Sequence, residues 1–259
     1  MSYKSPIEDF KYNLAMLNYD EVIAGIEKFK EYDSETLMSV VSEIGRLNEQ
    51  EVLDSNKIGD REGLKYVTDG AEGPEVHTPE RFKKLYDAVK SSGYVGATMP
   101  TQYGGGGAPF TTAILAGEIG IAANMAFYMG PGLSHGAMKT ILKKATEELK
   151  DKYLPNMTSG EWMGTMCLTE PQCGTDLGLI KSTAVPKDDH YELTGQKIWI
   201  SFGEHDLTEN IIHLVLARTP DAPEGIKGIS LFLVPKRLDD NSRNTIYCGG
   251  LEHKLGINS

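Results

Sequence analysis

The chain has 259 residues, of which 40% are hydrophobic and 24% are charged, a composition typical of a folded, water-soluble protein with one large or two ordinary domains. Its formal net charge of -11 argues against nucleic acid or an anionic membrane as a default partner, although a locally basic site in such a protein can still hold an anionic substrate. The three cysteines and six histidines lack the spacing of a disulfide framework or of paired metal ligands, so we expect no metal.

The sequence gives no sign of a membrane span or of a targeting segment. No apolar run looks long enough to cross a bilayer. Residues 1–9 resemble neither a signal peptide nor an Arg-rich transit peptide. We therefore expect a protein of a bacterial-type cytoplasm without a membrane span.

The first half of the chain has the apolar spacing of helices. Residues 5–8 form a capping pattern, with Ser at the cap, Pro at the first helical position and Glu after it, which predicts a first helix. Further helices are predicted over residues 33–47, 78–93, 110–129 and 133–153.

Two glycine-rich stretches do not match nucleotide-binding loops. Residues 104–107 are not followed by Gly-Lys-Ser/Thr, so a P-loop is unsupported. Residues 130–132, with Gly136, lack the spacing and the preceding strand of a dinucleotide fingerprint. Both stretches are expected to break helices.

From about Gly164 onward the pattern becomes that of strands. A tight turn at residues 187–190 is expected between two strands, and Trp199 and Ser201 are expected on one face of a later strand. Other strands are predicted over residues 162–168, 211–217, 229–234 and 245–248. The implied fold class is α+β, an N-terminal helical domain followed by a β-rich domain, with the cleft between them as a natural ligand site.

The first of two informative segments, residues 166–176, runs from the end of the strand predicted at residues 162–168 into a polar turn. Pro171 stops this strand because proline cannot donate to the ladder. Gly174 removes a Cβ where the backbone would approach a ligand, and Thr175 with its neighbouring amides could donate hydrogen bonds to a pyrophosphate. Taken alone, this segment is better explained as a strand with a polar turn.

A second segment, residues 195–201, changes that interpretation. The Trp199 ring can lie against a planar isoalloxazine, which is worth about 1 kcal/mol beyond burial. Ser201 offers a hydroxyl to a flavin nitrogen. Taken alone, Trp199 would be an ordinary core tryptophan, so the pair of segments carries the hypothesis.

Together the two segments resemble the flavin-binding core of the acyl-CoA dehydrogenase family, and residues 100–105 resemble its Pro-x-x-Tyr-Gly-Gly loop. The resemblance implies FAD as cofactor, hydrogen-bonded at its isoalloxazine ring by Thr169 and Ser201 and packed against Trp199. It also implies that Gly174 and Thr175 approach the pyrophosphate, with Thr175 near the CoA end of the substrate. The residues implied to bind FAD are Met166, Leu168, Thr169, Gly174, Thr175, Trp199, Ile200 and Ser201. Leu168 and Met166 would act through the main chain, since Met166 departs from the aromatic residue of some members.

Residues 3–9 and 252–259 resemble a longer subgroup of the family, which includes 3-methylmercaptopropionyl-CoA dehydrogenase-like enzymes. The resemblance implies a helical extension (residues 1–33), a helical acyl-CoA dehydrogenase N-terminal domain (34–162) and a barrel- or sandwich-like β-rich middle domain (163–259). The middle domain is expected to be incomplete at its C-terminal end, without the C-terminal helical bundle of the family.

In the family a glutamate removes an α-proton from the acyl-CoA thioester while the β-hydride passes to flavin N5. That glutamate is expected beyond Ser259, so we assign no catalytic base and expect residues 1–259 alone to be inactive. Glu170 is a tempting substitute, but its place before Pro171 favours a structural turn glutamate. The implied partners are an acyl-CoA substrate, electron-transferring flavoprotein, and further copies of the full-length chain in a homo-oligomer.

Alternatives remain open at this point. The chain could be a truncated acyl-CoA dehydrogenase or a non-catalytic flavin- or CoA-binding fragment, and an oxidase or monooxygenase on the same fold is also compatible with the motifs. A stop inside an incomplete β-domain favours truncation, because a natural module should close its sheet rather than leave strand edges open.

Overall fold

The computed structural model describes residues 3–259, with helices first and most strands after them. The helices are α1 (Ile7–Met16), α2 (Tyr19–Ala24), α3 (Ser34–Leu47), α4 (Leu53–Glu62), α5 (Glu80–Ser91), α6 (Phe110–Lys144) and α7 (Glu147–Ser159). The strands are β1 (Lys65–Val67), β2 (Glu75–His77), β3 (Trp162–Cys167), β4 (Thr183–Pro186), β5 (Tyr191–Thr194), β6 (Asn210–Ala217) and β7 (Ser230–Pro235). This order confirms the expected α+β class, a helical part followed by a sheet-rich part.

The sheet-rich part is built around β6. Strand β3 pairs with β6 in parallel, which places Thr165 opposite His213, and β7 pairs with β6 in the antiparallel direction. Strands β4 and β5 form the expected hairpin, which the Ala184 amide joins to the end of β6 by donating to the Arg218 carbonyl at 2.7 Å. The strands predicted at residues 162–168, 211–217 and 229–234 are therefore confirmed to within a residue or so at each end.

Helix α6 links the helical part to the sheet. It packs against β3 and against α3, α4 and α7. The Gly164 amide of β3 donates to Ser134 Oγ of α6 at 3.0 Å. On the helical side, the buried rings of Phe82 and Phe127 meet edge to face at 5.5 Å. One buried core therefore continues from the helices into the sheet.

The expected helix break at residues 130–132 is wrong. Helix α6 continues through Pro131, and its irregular point is Asn124, with φ -157° and ψ 93°. The Asn124 side chain accepts a hydrogen bond from the Phe127 amide at 3.1 Å and donates to Ser55 Oγ at 2.8 Å. Asparagine caps helices well, so it restarts the helix here.

The glycine at position 130 serves packing rather than helix termination. A Cβ on Gly130 would lie 2.7 Å from the ring of Phe202, so glycine allows this ring to lie against the helix. The helix then ends at Lys144, and α7 begins at Glu147 behind a Thr146 side-chain cap, instead of one helix covering residues 133–153.

Helix α6 is long and apolar enough to cross a membrane by length and composition, so the expectation that no apolar run reaches that length is wrong. One such helix is weak support for a span, because the central helix of a folded core passes the same test. In α6, 44% of the most apolar window is buried inside the protein. The absence of a membrane span stays a prediction.

The capping pattern predicted for the first helix is also wrong in detail. Helix α1 begins at Ile7 without a side-chain cap, so Ser5 does not serve as the N-cap. The Ser5 amide instead donates to Glu49 Oε1 at 2.7 Å. The helix start predicted near residue 33 is confirmed, because the Asp33 carboxylate accepts from the Thr36 amide at 2.8 Å.

Two segments predicted as strands are irregular in the structure. Residues 245–248 include a tight bend in which the Ile246 amide donates to the Asn244 carbonyl at 2.8 Å. Trp199 in the second segment and Phe202 just after it have φ of +61° and +54°, left-handed values that a strand cannot contain. Trp199 and Ser201 therefore do not share a strand face.

Candidate functional site

The two motif segments lie side by side in the structure. The Ile198 amide donates to the Thr169 carbonyl at 3.0 Å. The Lys197 ammonium donates to the Leu168 carbonyl at 3.1 Å. Residues that are far apart in sequence are thus held together at the positions where the sequence predicts a ligand.

Glu170 is a buried carboxylate surrounded by donors. Its Oε1 accepts from Lys197 Nζ at 2.8 Å and from the Ser182 amide at 3.0 Å, and its Oε2 accepts from the Lys181 amide at 2.7 Å and from Gln172 Nε2 at 2.6 Å. Burial raises its pKa, but these hydrogen bonds, led by that from Lys197, outweigh burial and bring the pKa to about 2. Such a carboxylate is a poor proton acceptor at neutral pH. These contacts are those expected of a structural turn glutamate.

The predicted FAD-binding residues differ in exposure. The Trp199 side chain is 43% exposed, which excludes an ordinary core tryptophan. A Cβ on Gly174 would meet only Thr169 Cγ2, at 3.5 Å, so the backbone there is open to an approaching group. Gly174 and Thr175 are exposed, and the half-buried positions are Met166, Leu168, Thr169, Ile200 and Ser201.

A cavity of about 1950 Å³ lies beside the second segment. Trp199, Ile200 and Ser201 line it, together with residues of the sheet such as Cys167 and His213. The predicted residues of the first segment are not on its wall, namely Met166, Leu168, Thr169, Gly174 and Thr175. The structure therefore places the second segment at the cavity and the first segment next to it on the accessible surface.

Trp199 lines this cavity and has a left-handed backbone, with φ of +61°. Lys254 Nζ lies 5.2 Å from the centre of the ring, within reach of a cation–π interaction. This contact comes from residues 252–259, whose resemblance to the longer subgroup was noted in the sequence.

A polar group that the sequence did not single out lies on the cavity side of the sheet. Thr165 Oγ1 and His213 Nδ1 are 2.8 Å apart across β3 and β6, and Cys167 Sγ lies 3.8 Å from the same nitrogen. Burial lowers the pKa of His213 to about 4 and raises the pKa of the Cys167 thiol. The pair is therefore a neutral imidazole and a protonated thiol, unlike the thiolate of a nucleophilic cysteine.

Asp206 ties the loop after Ser201 to the helical part. Its carboxylate accepts from the Thr78 amide at 2.9 Å and the Thr78 hydroxyl at 2.8 Å, and it pairs with Lys83 Nζ at 2.9 Å. The sequence does not predict this contact, because the residues around Thr78 do not indicate which remote carboxylate they will bind.

A cluster of buried charges forms another part of the cavity wall. Glu204 pairs with both Lys236 and Arg243, and the Arg243 nitrogen lies 2.7 Å from its carboxylate. Burial raises the pKa of Glu204, but the hydrogen bonds from Arg243 and Lys236 outweigh it and lower the pKa. The two cations therefore hold Glu204 in its charged form.

Among residues 3–259, no group of three or more His, Cys, Asp or Glu side chains is arranged to hold a metal ion. The expected absence of a metal stays a prediction.

Comparison with known proteins gives matches along most of the chain. The family described as "Acyl-CoA dehydrogenase, N-terminal domain" matches residues 65–161, and "Acyl-CoA dehydrogenase, middle domain" matches residues 165–259. The 3-methylmercaptopropionyl-CoA dehydrogenase of Ruegeria pomeroyi is 40% identical over 263 residues, which cover 99% of this chain and 44% of that protein. The chain thus spans less than half the length of this relative.

Solved structures match the same fold. A chain in the structure of the electron transferring flavoprotein of Acidaminococcus fermentans aligns with a TM-score of 0.69 and 26% identity, covering 87% of this chain and 53% of that one. The acyl-CoA dehydrogenase of Bacillus anthracis, in complex with FAD, aligns with a TM-score of 0.61 and 25% identity, covering 80% of this chain and 32% of that one. With both domain descriptions matched in sequence order and this fold shared, the chain belongs to the acyl-CoA dehydrogenase family.

Proposed function

We propose that this chain forms the helical and FAD-facing part of an FAD-dependent acyl-CoA dehydrogenase, an oxidoreductase that acts on CH–CH groups. The observation that carries the proposal is the junction of the two motif segments through Ile198, Thr169 and Lys197. FAD is the cofactor that family membership and the FAD complex of the Bacillus anthracis relative support, in agreement with the sequence expectation.

The residues present fit a flavin. Trp199 offers a half-exposed planar ring, and Thr169 and Ser201 offer half-buried hydroxyls to a ring nitrogen or oxygen. The exposed amides at Gly174 and Thr175 suit a pyrophosphate. Met166, Leu168 and Ile200 would contribute through their main chain. When bound, FAD supplies the hydride acceptor for α,β-dehydrogenation of an acyl thioester.

The substrate and partners belong to the same proposal. We infer an acyl-CoA thioester as substrate, with Thr175 near its CoA end, and the 40% identical relative supports 3-methylmercaptopropionyl-CoA as one compound to test. The match to a chain in an electron transferring flavoprotein structure supports a flavoprotein electron acceptor. A homo-oligomer of the full-length protein, a cytoplasmic location and the domain limits 1–33, 34–162 and 163–259 complete the proposal.

The cofactor is tested by titrating FAD into the 259-residue chain and following flavin fluorescence and absorbance. We expect weak, saturable binding, because each contact to a cofactor is worth about 1 kcal/mol and the family makes more of them than this chain supplies. Trp199→Ala should weaken binding, whereas Trp162→Phe, in β3 and outside both motif segments, should leave it unchanged. Wild-type chain that does not bind FAD at any attainable concentration contradicts the proposal.

The activity is tested by mixing the FAD-loaded chain anaerobically with saturated acyl-CoA thioesters, including 3-methylmercaptopropionyl-CoA. We expect no bleaching of the flavin, because we assign the base to none of the described residues and a positioned base contributes large rate factors. Bleaching that disappears in Glu170→Gln would show that this glutamate is the base. If a protein of the relatives' full length binds flavin but no thioester reduces that flavin, the non-catalytic alternative would be favoured.

A further inference from the structure

Among residues 3–259, the Lys197–Glu170 ion pair is the most deeply buried one at the candidate site. The Lys197 side chain is 11% exposed and the Glu170 side chain 3% exposed, at an N–O distance of 2.8 Å. Taking two opposite charges out of water is costly, and such pairs often add no net stability over apolar residues of the same volume. The geometry that this pair imposes is therefore a better explanation for it than the stability it supplies.

The ammonium of Lys197 holds the main chain on both sides of Thr169. It donates to the Leu168 carbonyl at 3.1 Å and to the Glu170 carboxylate at 2.8 Å. The next residue, Ile198, donates its amide to the carbonyl of Thr169 itself at 3.0 Å. Three bonds from two consecutive residues of the second segment thus fix three consecutive residues of the first.

The Glu170 end of the pair is itself a rigid anchor. Its carboxylate is held by the Gln172 side chain and by the amides of Lys181 and Ser182, just before β4. A lysine bonded to this carboxylate cannot move without breaking bonds to a group fixed at three other points. An apolar side chain of the same length at position 197 would fill the space but remove both Lys197 bonds to the first segment, leaving the bond from the Ile198 amide to Thr169.

We propose that Lys197 is a positioning residue that sets the separation between the Thr169 side and the Trp199–Ser201 side of the flavin site. The proposal rests on the proposed function, because it concerns the same site. Lys197 is not a catalytic residue. Its bonds hold Leu168 and Glu170, on either side of Thr169, and so fix the position of Thr169 relative to Trp199.

The test is a double-mutant cycle on FAD affinity with Lys197→Met and Ser201→Ala in the full chain, read by flavin fluorescence. Each single change should weaken FAD binding about fivefold, the effect of one lost hydrogen bond. If Lys197 positions the segment that carries Ser201, then Ser201→Ala should matter less than about twofold in the Lys197→Met background, because the hydroxyl no longer meets the flavin. Lys197→Arg keeps a charged donor, so in this background Ser201→Ala should weaken FAD binding nearly as much as it does in the wild-type chain.

If Lys197 only stabilises the fold, the expected results differ. Lys197→Met would then lower the folded fraction, measured by urea unfolding, and the fold-losses of FAD affinity caused by Lys197→Met and Ser201→Ala would multiply. The Ile198 amide gives a readout without flavin, since its hydrogen exchange should accelerate at least tenfold in Lys197→Met once global stability is accounted for. Should Lys197→Met not fold, Lys197→Gln, which keeps one short donor, carries the same cycle.

The matched control is Lys187→Met in the β4–β5 hairpin. Lys187 pairs with Glu192 at 3.0 Å, but these side chains are 44% and 61% exposed and lie outside both segments. We expect this change to leave FAD affinity and its coupling to Ser201→Ala unaltered. Multiplicative effects of Lys197→Met and Ser201→Ala, or unchanged exchange at Ile198, overturn the positioning role while wild-type FAD binding stands. Absence of wild-type binding overturns the proposed function and this inference together.

Discussion

Replacing Asp206 by asparagine should destabilise the protein more than any exposed charge replacement, because this carboxylate joins the flavin-segment loop to the helical part. The Asp206 side chain is 20% exposed and lies within 3.0 Å of His77 Nδ1 and 2.9 Å of Lys83 Nζ. Thr78 donates to it from both its amide and its hydroxyl. An asparagine amide would turn a donor toward groups that now donate to the carboxylate.

The magnitude follows from the pKa. Burial raises the pKa of Asp206, but hydrogen bonds from Thr78, Lys83 and His77 outweigh it and lower the pKa from 3.8 to about 2. A depressed pKa stabilises the folded state above the unfolded pKa of 3.8, and this stability disappears as the pH falls through the folded pKa. A shift of roughly two units corresponds to about 2 kcal/mol at pH 7, of which about half should be gone at pH 3.

The assay is urea unfolding of wild type and Asp206→Asn at pH 7 and again at pH 3. We expect the free energy of unfolding of the variant to be about 2 kcal/mol below that of the wild type at pH 7, and this difference to fall by about half at pH 3. The control is Asp239→Asn, whose partner Lys152 lies at 2.6 Å but whose side chain is 75% exposed, so its effect should stay within about 0.5 kcal/mol. Equal destabilisation by the two variants, or a gap that does not change with pH, would refute this reasoning.

Three further predictions concern flavin contacts, the helix kink and acid stability. In a protein of the relatives' full length, Trp199→Ala should weaken FAD binding, and Ser201→Ala should change the rate of flavin reduction more than substrate binding. Cys173→Ser should change neither FAD binding nor flavin reduction by much. If all three variants behave alike in binding and single-turnover assays, the assigned roles are contradicted. Asn124→Ala removes the bond from the Phe127 amide and the bond to Ser55, so the free energy of unfolding in urea should fall by about 1–2 kcal/mol. An unchanged free energy of unfolding would mean that packing alone holds the kink. Burial, the main cause, lowers the pKa of His205 to about 3 and that of His213 to about 4, so both stabilise the fold while neutral and this stability is lost as the pH falls from 6.5 through those values. Unfolding free energies should therefore drop between pH 6.5 and 4, and a flat profile contradicts this assignment.

The elements that the sequence predicts well are those whose signal is local. The apolar spacing of α3 and the apolar run of β6 arise from burial on one side or on both, so they are visible without knowing the partner. The prediction misplaced the interruption of α6 because Pro131 carries a strong local signal, whereas Asn124 bonds to Ser55, a residue remote in sequence.

The candidate site shows the same division. The motif residues were identifiable from their types and order, but the way the segments meet depends on the Lys197 and Ile198 bonds, which link remote parts of the chain. These bonds and the left-handed Trp199 replace the strand that alternation predicted. Asp206 was missed for a related reason, because its partners Thr78 and Lys83 lie in the helical part.

The central claim is that residues 166–176 and 195–201 form one flavin site. Hydrogen–deuterium exchange of the chain with and without saturating FAD tests it most directly, since both segments contain exposed or half-buried backbone that a bound cofactor would cover. We expect FAD to slow exchange in both segments together, while helix α1 (Ile7–Met16), which contributes no residue to the cavity wall, is unaffected. Protection of only one segment, or protection confined to other parts of the chain, would contradict the claim.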